Sequence, residues 1–211
     1  MNSDKMKETI KFGAYDWLVL DERDDNLLII TRDVIELRPY DSEFTDENWE
    51  TCTLREYLNG RFFGKFTPDE QARIVETTVS NPKNPWYDTR GCDDTSDKIF
   101  LLSIEEADLY FSGGGERLTE RMREFDYDCG EYTEVEVGSA VGGFFSNEYD
   151  ESRQSNYNGD PAFWWLRSPG VHHASAAFVC DSGGIGVMGL DLYAILDVGA
   201  AGVRPVLWLK K

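Results

Sequence analysis

From Ile10 to Leu20 the apolar positions alternate imperfectly, with Phe12, Trp17, Val19 and Leu20 apolar. Asp21 to Asn26 is polar, and Leu27 to Thr31 is a short apolar run. A period near two, broken by an acidic turn, predicts a β-hairpin. Asp24, Asp25 and Asn26 suit its tip because short polar side chains bond their own backbone in turns. The same oxygens would suit a calcium ion, but a hairpin tip needs them in any case.

The period then changes to that of a helix. Leu54, Tyr57, Leu58 and Phe62 share one face, Thr53 with Glu56 reads as a capping box, and Gly60 or Gly64 ends the segment. Thr67-Pro68-Asp69-Glu70 predicts a second helix to about Glu76, with proline at its first position. Ser103 with Glu106 predicts a third over Ile104 to Phe111, preceded by a buried strand Ile99 to Leu102 and stopped by Gly113-Gly114-Gly115. Between them, Pro82, Pro85 and Gly91 make Asn81 to Asp97 a loop.

Glu116 to Phe125 reads as a short charged helix. Asp126 to Asp160, rich in Gly, Asn, Ser and acids, reads with it as a surface excursion over about residues 113–160. Beyond it, Ala174 to Cys180 and Ile185 to Met188 flank Asp181-Ser182-Gly183-Gly184, a hairpin signal. Leu190 to Val198 is apolar but irregular, and Gly202 to Leu209 is the last strand. Helices early and hairpins late predict one α+β domain over residues 1–211, with two to three short helices and a mixed or antiparallel sheet.

The net charge of −19 disfavours a nucleic-acid or anionic-membrane partner, since both need a cationic footprint. Six Trp, ten Tyr and twelve Phe argue against disorder. There is no transmembrane-length apolar run, and Met1 to Lys11 lacks the apolar region of a signal peptide. Cys52, Cys92, Cys129 and Cys180 are scattered, so reduced thiols and a cytoplasmic location are expected. The oligomeric state is not legible.

Two blocks, FWWLRSPG (Phe163 to Gly170) and GVRPVLWL (Gly202 to Leu209), each set a lone arginine among apolar residues. Arg167 and Arg204 keep their charge, so burial demands partners. Trp164 and Trp165, adjacent in an extended segment, should face opposite sides and are read as structural. Between the blocks, Val171 to Ala201 has no Lys, Arg, Glu or Trp.

These blocks, with FGAYDWLVLD, LREYLNGRFF and DKIFLLSIEEA, resemble an uncharacterised bacterial family known as a domain of unknown function. The resemblance covers most of the chain outside about residues 113–160 and implies no reaction. The ending also resembles the C-type-lectin fold in its formylglycine-generating-enzyme-like form, where a Gly-x-Arg-Pro step enters the last strand. That likeness implies paired termini, with Ile10 to Leu20 beside Val203 to Leu209. The oxidase's C-terminal cysteine pair is missing, because only Cys180 lies in that third. The lectins' calcium strings (Glu-Pro-Asn, Gln-Pro-Asp, Trp-Asn-Asp) are missing too.

His172-His173 with Cys180 or Ser168 sketches a nucleophile and base, but no nucleophile elbow surrounds either. Adjacent histidines on a strand diverge and rarely share a metal. Asp93, Asp94 and Asp97 lack the spacing of a calcium loop, so neither metal nor cofactor is expected. Gly189 to Ala201 resembles the diversified segment of retroelement variable proteins. It holds only residues reachable by adenine mutagenesis of an asparagine codon and lacks Lys, Glu, Gln, Met and Trp. A buried hairpin would lack Lys, Glu and Gln anyway.

The reading is a non-enzymatic module that binds an unknown protein or small ligand. Its binding face comprises Leu190, Asp191, Tyr193, Ile195 and Asp197, with His172, His173 and Trp86 at the rim. Tyr193 would be the best single anchor. The alternatives are an enzyme using Cys180 or His172/His173, and a structural component of a phage or surface assembly.

Overall fold

The computed structural model describes residues 7–42, 48–112, 144–192 and 201–211. The segment expected as one strand from Ile10 is two, β1 (Thr9–Phe12) and β2 (Tyr15–Arg23), because Gly13 takes φ +57° and reverses the chain. β3 (Asn26–Thr31) completes the expected hairpin. Arg23 pairs with Asn26, which leaves only Asp24 and Asp25 as the loop. Asp24 takes φ 51°, a left-handed conformation that aspartate tolerates.

β4 is the short Glu36–Leu37, and helix α1 covers Thr53–Tyr57. The capping box expected at Thr53 and Glu56 does not form, since Cys52 holds the N-cap position. The Thr53 hydroxyl instead accepts the Ser42 amide at 2.9 Å, and its own amide donates to Asp41 at 3.0 Å. The helical path continues as a π turn over Leu58–Phe62 and a 3₁₀ turn over Phe63–Lys65.

The box at Thr67 and Glu70 is present and opens α2 (Pro68–Arg73). This helix ends before Glu76 because Ile74–Val75 (β5) pairs with Trp208 and Leu209. β6 (Thr77–Val79) and β7 (Thr95–Asp97) form a two-stranded ladder. Ile99 to Leu102 is buried, but among the described residues it joins strands, backbone to backbone, only through the isolated bridge of Phe100 to Val206 and one hydrogen bond from the Arg167 amide to the Leu102 carbonyl. It is therefore not the strand that its apolar run suggested. The Ser103–Glu106 box opens α3 (Ile104–Phe111) as expected.

Residues 113–143, including the helix expected at Glu116 to Phe125, lie outside the described residues. From Phe144 the chain is built into the fold: β8 (Phe144–Phe145), α4 (Asp150–Arg153), β9 (Asn156–Tyr157) and β10 (Asp160–Pro161). Phe145 and Arg153 are buried, so this part of the stretch read as a surface excursion carries core residues. β11 (Trp164–Pro169), β12 (Ser175–Val179) and β13 (Ile185–Asp191) follow, the last two as the expected hairpin. The final strand is two, β14 (Gly202–Val203) and β15 (Val206–Lys210).

The architecture is α+β. Among the described residues, one sheet runs β1-β2-β3-β15-β5 and a second runs β4-β14-β11-β12-β13-β8. The only parallel pair in these ladders is β11 with β14, so the second sheet is mixed. The C-terminal strand pairs with β3 and not with Ile10 to Leu20. Consecutive hairpins keep β1, β2 and β3 adjacent, and of the two edges this leaves β15 takes that of β3, while β1 stays at the edge of the sheet.

β11 is covered on both faces. Trp164 donates to the Arg153 carbonyl at 3.1 Å, whereas Trp165 donates to the Arg38 carbonyl at 2.8 Å and packs on Tyr40. Both rings are fully buried. Arg204 and Pro205 form the step by which the chain leaves one sheet for the other. The Arg204 guanidinium donates to the carbonyls of Thr31 and Arg32, at 3.0 and 3.2 Å, and lies 4.7 Å from the Trp164 ring centre. No carboxylate accepts a hydrogen bond from it among the described residues, and burial lowers its pKa.

Candidate functional site

Arg167 fixes the end of β11 that the candidate site is built on. It is 4% exposed. Its side chain donates to the carbonyls of Ser80 and Leu101, to Asn81 Oδ1, and to both carboxylate oxygens of Glu106. One planar fork therefore ties β11 to α3 and to the loop that starts at Ser80. Tyr40 adds a fourth segment by donating to the Arg167 carbonyl at 3.0 Å.

Beyond β11 the chain turns through His172 and His173, both exposed, before β12. This turn is pinned by the Val171 amide on the Met188 carbonyl (2.7 Å), the Ser175 hydroxyl on the His172 carbonyl (2.9 Å), and the Thr89 hydroxyl on the Val171 carbonyl (2.9 Å). The histidines sit in a turn and not on a strand, so strand alternation does not set their directions. Beside them, Met188 is 42% exposed, Leu190 is half-buried and Asp191 is exposed, in register with Ser175. Leu192 is buried, with its carbonyl accepting the Asp41 amide at 3.0 Å.

A small cleft of about 20 Å³ opens next to this turn, with Tyr40, Trp49, Arg90, Cys92 and His173 among its lining residues. Burial raises the thiol pKa of Cys92, and that of Cys52 to about 12. Both are therefore protonated at neutral pH, opposite to the thiolate that a nucleophile needs.

Residues 24–211 match the family described as Domain of unknown function (DUF6273). The chain belongs to this family. No curated protein and no solved structure matches it. DUF6273 membership therefore brings no reaction with it, and the site of this DUF6273 domain is read from its own geometry.

Of the residues expected on the binding face, the structure brings together Leu190, Asp191, His172 and His173 at one end of the β12–β13 hairpin. Tyr193, Ile195 and Asp197 lie outside the described residues. Trp86 is half-buried with its ring 5.6 Å from that of Phe145, whose strand pairs with Ile185 at the other end of β13.

With Cys180 the catalytic sketch fails on distance. Cys180 and His173 sit at opposite ends of β12, roughly 20 Å apart at about 3.3 Å per residue. Ser168 is buried, and its hydroxyl accepts the Ile104 amide at 3.0 Å. The acidic loop does not converge on a cation either. Asp93 and Asp94 are exposed, but Asp97 is buried and accepts from Arg55, Trp49 and Thr95 at 2.6, 3.0 and 2.7 Å. Among the described residues no three His, Cys, Asp or Glu side chains are grouped to hold a metal, and no helix is long and apolar enough to cross a membrane.

Sequence reasoning missed Arg153, which is fully buried. It donates to the Gly183 carbonyl and Asn147 Oδ1, at 2.8 and 2.7 Å, and to Asp150. Its neighbours Glu151, Ser152 and Gln154 are polar, so no apolar pattern marked it. Arg90 was missed for a different reason: a lone arginine in a loop carries no pattern at all.

Proposed function

We propose that this DUF6273 domain is a non-enzymatic binding module whose binding face is the end of the β12–β13 hairpin. The observation that carries this reading is the contrast at that end. The backbone is held by Arg167, Thr89 and Ser175, while Met188, His172, His173 and Asp191 stay exposed on it. A fixed support with adaptable side chains binds with little ordering cost. The separation of Cys180 from His173 speaks against that pair as nucleophile and base.

A lectin-like ancestry is supported by the route of the chain end: Gly202-Val203 lies in one sheet, and Arg204-Pro205 leads into β15 of the other. The stretch proposed for diversification, Gly189 to Ala201, begins on this same face. A reverse transcriptase gene and a template repeat beside the coding sequence would support diversification. A neighbourhood of phage structural genes without them would favour the assembly reading.

The binding test is a display screen of peptides and glycans against the folded chain, followed by the double variant Met188→Ser, Leu190→Ser. The variant should keep the wild-type circular dichroism and melting temperature while losing about tenfold or more in affinity, since each removes apolar contact area. Undiminished binding by the folded variant sinks the proposed face. So does unfolding of the variant, because it would place these side chains in the core.

A further inference from the structure

Asp and Glu make up 40 of the 211 residues, yet among the described residues none of the fifteen lining the cleft beside the His172–His173 turn is acidic. The lining carries Arg90, Arg167 and His173 instead. The charge of Arg167 is met by Glu106, which lies outside the cleft. Arg90 is exposed and makes no hydrogen bond or ion pair with any described residue. In a chain of net charge −19, an uncompensated guanidinium on a fixed loop is a local exception.

The loop around Arg90 is held in place. Thr89 is bonded to the Val171 carbonyl on one side. On the other side Gly91 packs so tightly that a Cβ would lie 2.0 Å from the Asn81 carbonyl oxygen. Asn81 in turn donates to the carbonyls of Val79 and Asp93, at 3.2 and 2.9 Å. The Arg90 backbone is thus presented from a closed loop, so binding has only its side chain to order.

The inside of the cleft is apolar in effect. Tyr40 and Trp49 line it, but their polar atoms are committed elsewhere, to the Arg167 carbonyl and to Asp97. The cavity of about 20 Å³ admits a group about the size of one water or methyl. Among the described lining residues Arg90 is the one unpaired guanidinium; one such charge matches a monoanion better than a phosphate dianion, and its plane matches a planar carboxylate with two parallel bonds.

We infer that this cleft is a subsite for a monocarboxylate bearing a small apolar group, with the carboxylate on Arg90 at the mouth and the apolar group against the edge-to-face pair of Tyr40 and Trp49. The inference rests on the reading of the chain as a binding module and names the ligand chemistry beside its face. Two sources share that chemistry: a free short-chain carboxylic acid, and the C-terminal carboxylate of a peptide ending in alanine.

The test is a titration of the full ¹⁵N-labelled chain, followed by amide chemical shifts, with propionate, N-acetylalanine, N-acetylalaninamide and the peptide acetyl-Gly-Gly-Ala. The amides of Arg90, Gly91, Cys92 and His173 should shift saturably with the three carboxylates and not with the alaninamide. Arg90→Gln, whose side chain lies in no buried network, should leave the rest of the spectrum unchanged and weaken binding by about tenfold or more, the loss expected for a charge-assisted hydrogen bond. Tighter binding of the peptide than of propionate, with shifts spreading to Leu190 and Asp191, assigns a peptide C-terminus. Equal binding assigns a small free acid. Absence of saturable shifts, equal binding of the alaninamide, or unchanged binding by Arg90→Gln overturns the subsite. Met188 and Leu190 do not line the cleft. A partner captured by wild type and lost in their double variant, with no carboxylate response, would therefore overturn the subsite and leave the binding face standing.

Discussion

Glu106 meets Arg167 with both carboxylate oxygens, and one of those oxygens also accepts the Ser103 amide that opens α3. A single carboxylate thus caps a helix and neutralises an arginine that is 4% exposed. The two roles are coupled: a change that frees Glu106 from one leaves the other mispositioned.

Removing Glu106 strands a buried guanidinium, and removing Arg167 empties a buried site and frees the Ser80 and Leu101 carbonyls, at a cost of about 3–5 kcal/mol. Arg167→Ala should lower the melting temperature by about 10 °C or more in a chain of this size. Arg167→Lys should not restore it, because an ammonium cannot bridge Ser80, Leu101 and Glu106 as a fork does. Arg204→Ala should also be strongly destabilising. Thermal denaturation followed by circular dichroism checks all three, and an unchanged melting temperature for Arg167→Ala would falsify the coupling.

Asp97 is spoken for by Arg55, Trp49 and Thr95, so the acidic loop has only exposed Asp93 and Asp94 to offer a cation. Millimolar calcium should leave the melting temperature where it is. Asp97→Ala should lower it by several degrees whether or not calcium is present. A calcium-induced rise that disappears in Asp94→Ala would contradict this.

Stability should fall on the alkaline side. Burial raises the Cys52 thiol from an ordinary 9.0 to about 12, and raises the Tyr40 phenol well above 10.0. The folded chain then holds protons that the unfolded chain has already released. The Cys52 contribution is fully present below pH 9 and is lost as pH rises through about 12; that of Tyr40 is lost in the same direction. For Cys52 the loss reaches roughly 4 kcal/mol at the upper end. Urea unfolding at stepped pH should show a shallower decline for Cys52→Ala than for wild type, and parallel curves would remove Cys52 from the account.

Thiol reactivity should follow exposure. In a Cys129→Ser background, Cys92, which is half-buried, should label first, more slowly than free cysteine because its thiol is pushed up. Cys52 and Cys180 should label only on unfolding. Rapid labelling of native Cys180, read by peptide mass analysis, would reopen its candidacy as a nucleophile.

Local signals in the chain were sufficient wherever the deciding interaction is local. The boxes at Thr67–Glu70 and Ser103–Glu106 close within four residues, and both helices start where the sequence places them. The hairpin of β12 and β13 turns on Asp181 to Gly184 for the same reason. The pattern at Thr53 and Glu56 has the same form and yields no box, because Ser42 and Asp41, brought in from outside the helix, take the hydroxyl and amide of Thr53.

The sequence by itself determined the α+β class, the two capped helices, the hairpins and the need of Arg167 and Arg204 for partners, since periodicity, caps and permanent charge are properties of near neighbours. Only the tertiary structure decided that β15 joins β3, that Cys180 and His173 stand at opposite ends of a strand, and that Arg153 is interior. It alone set Arg90 at the mouth of a cleft with no acid among its described lining residues. Each of these depends on which distant segments fill the space around a residue, and no spacing along the chain encodes that.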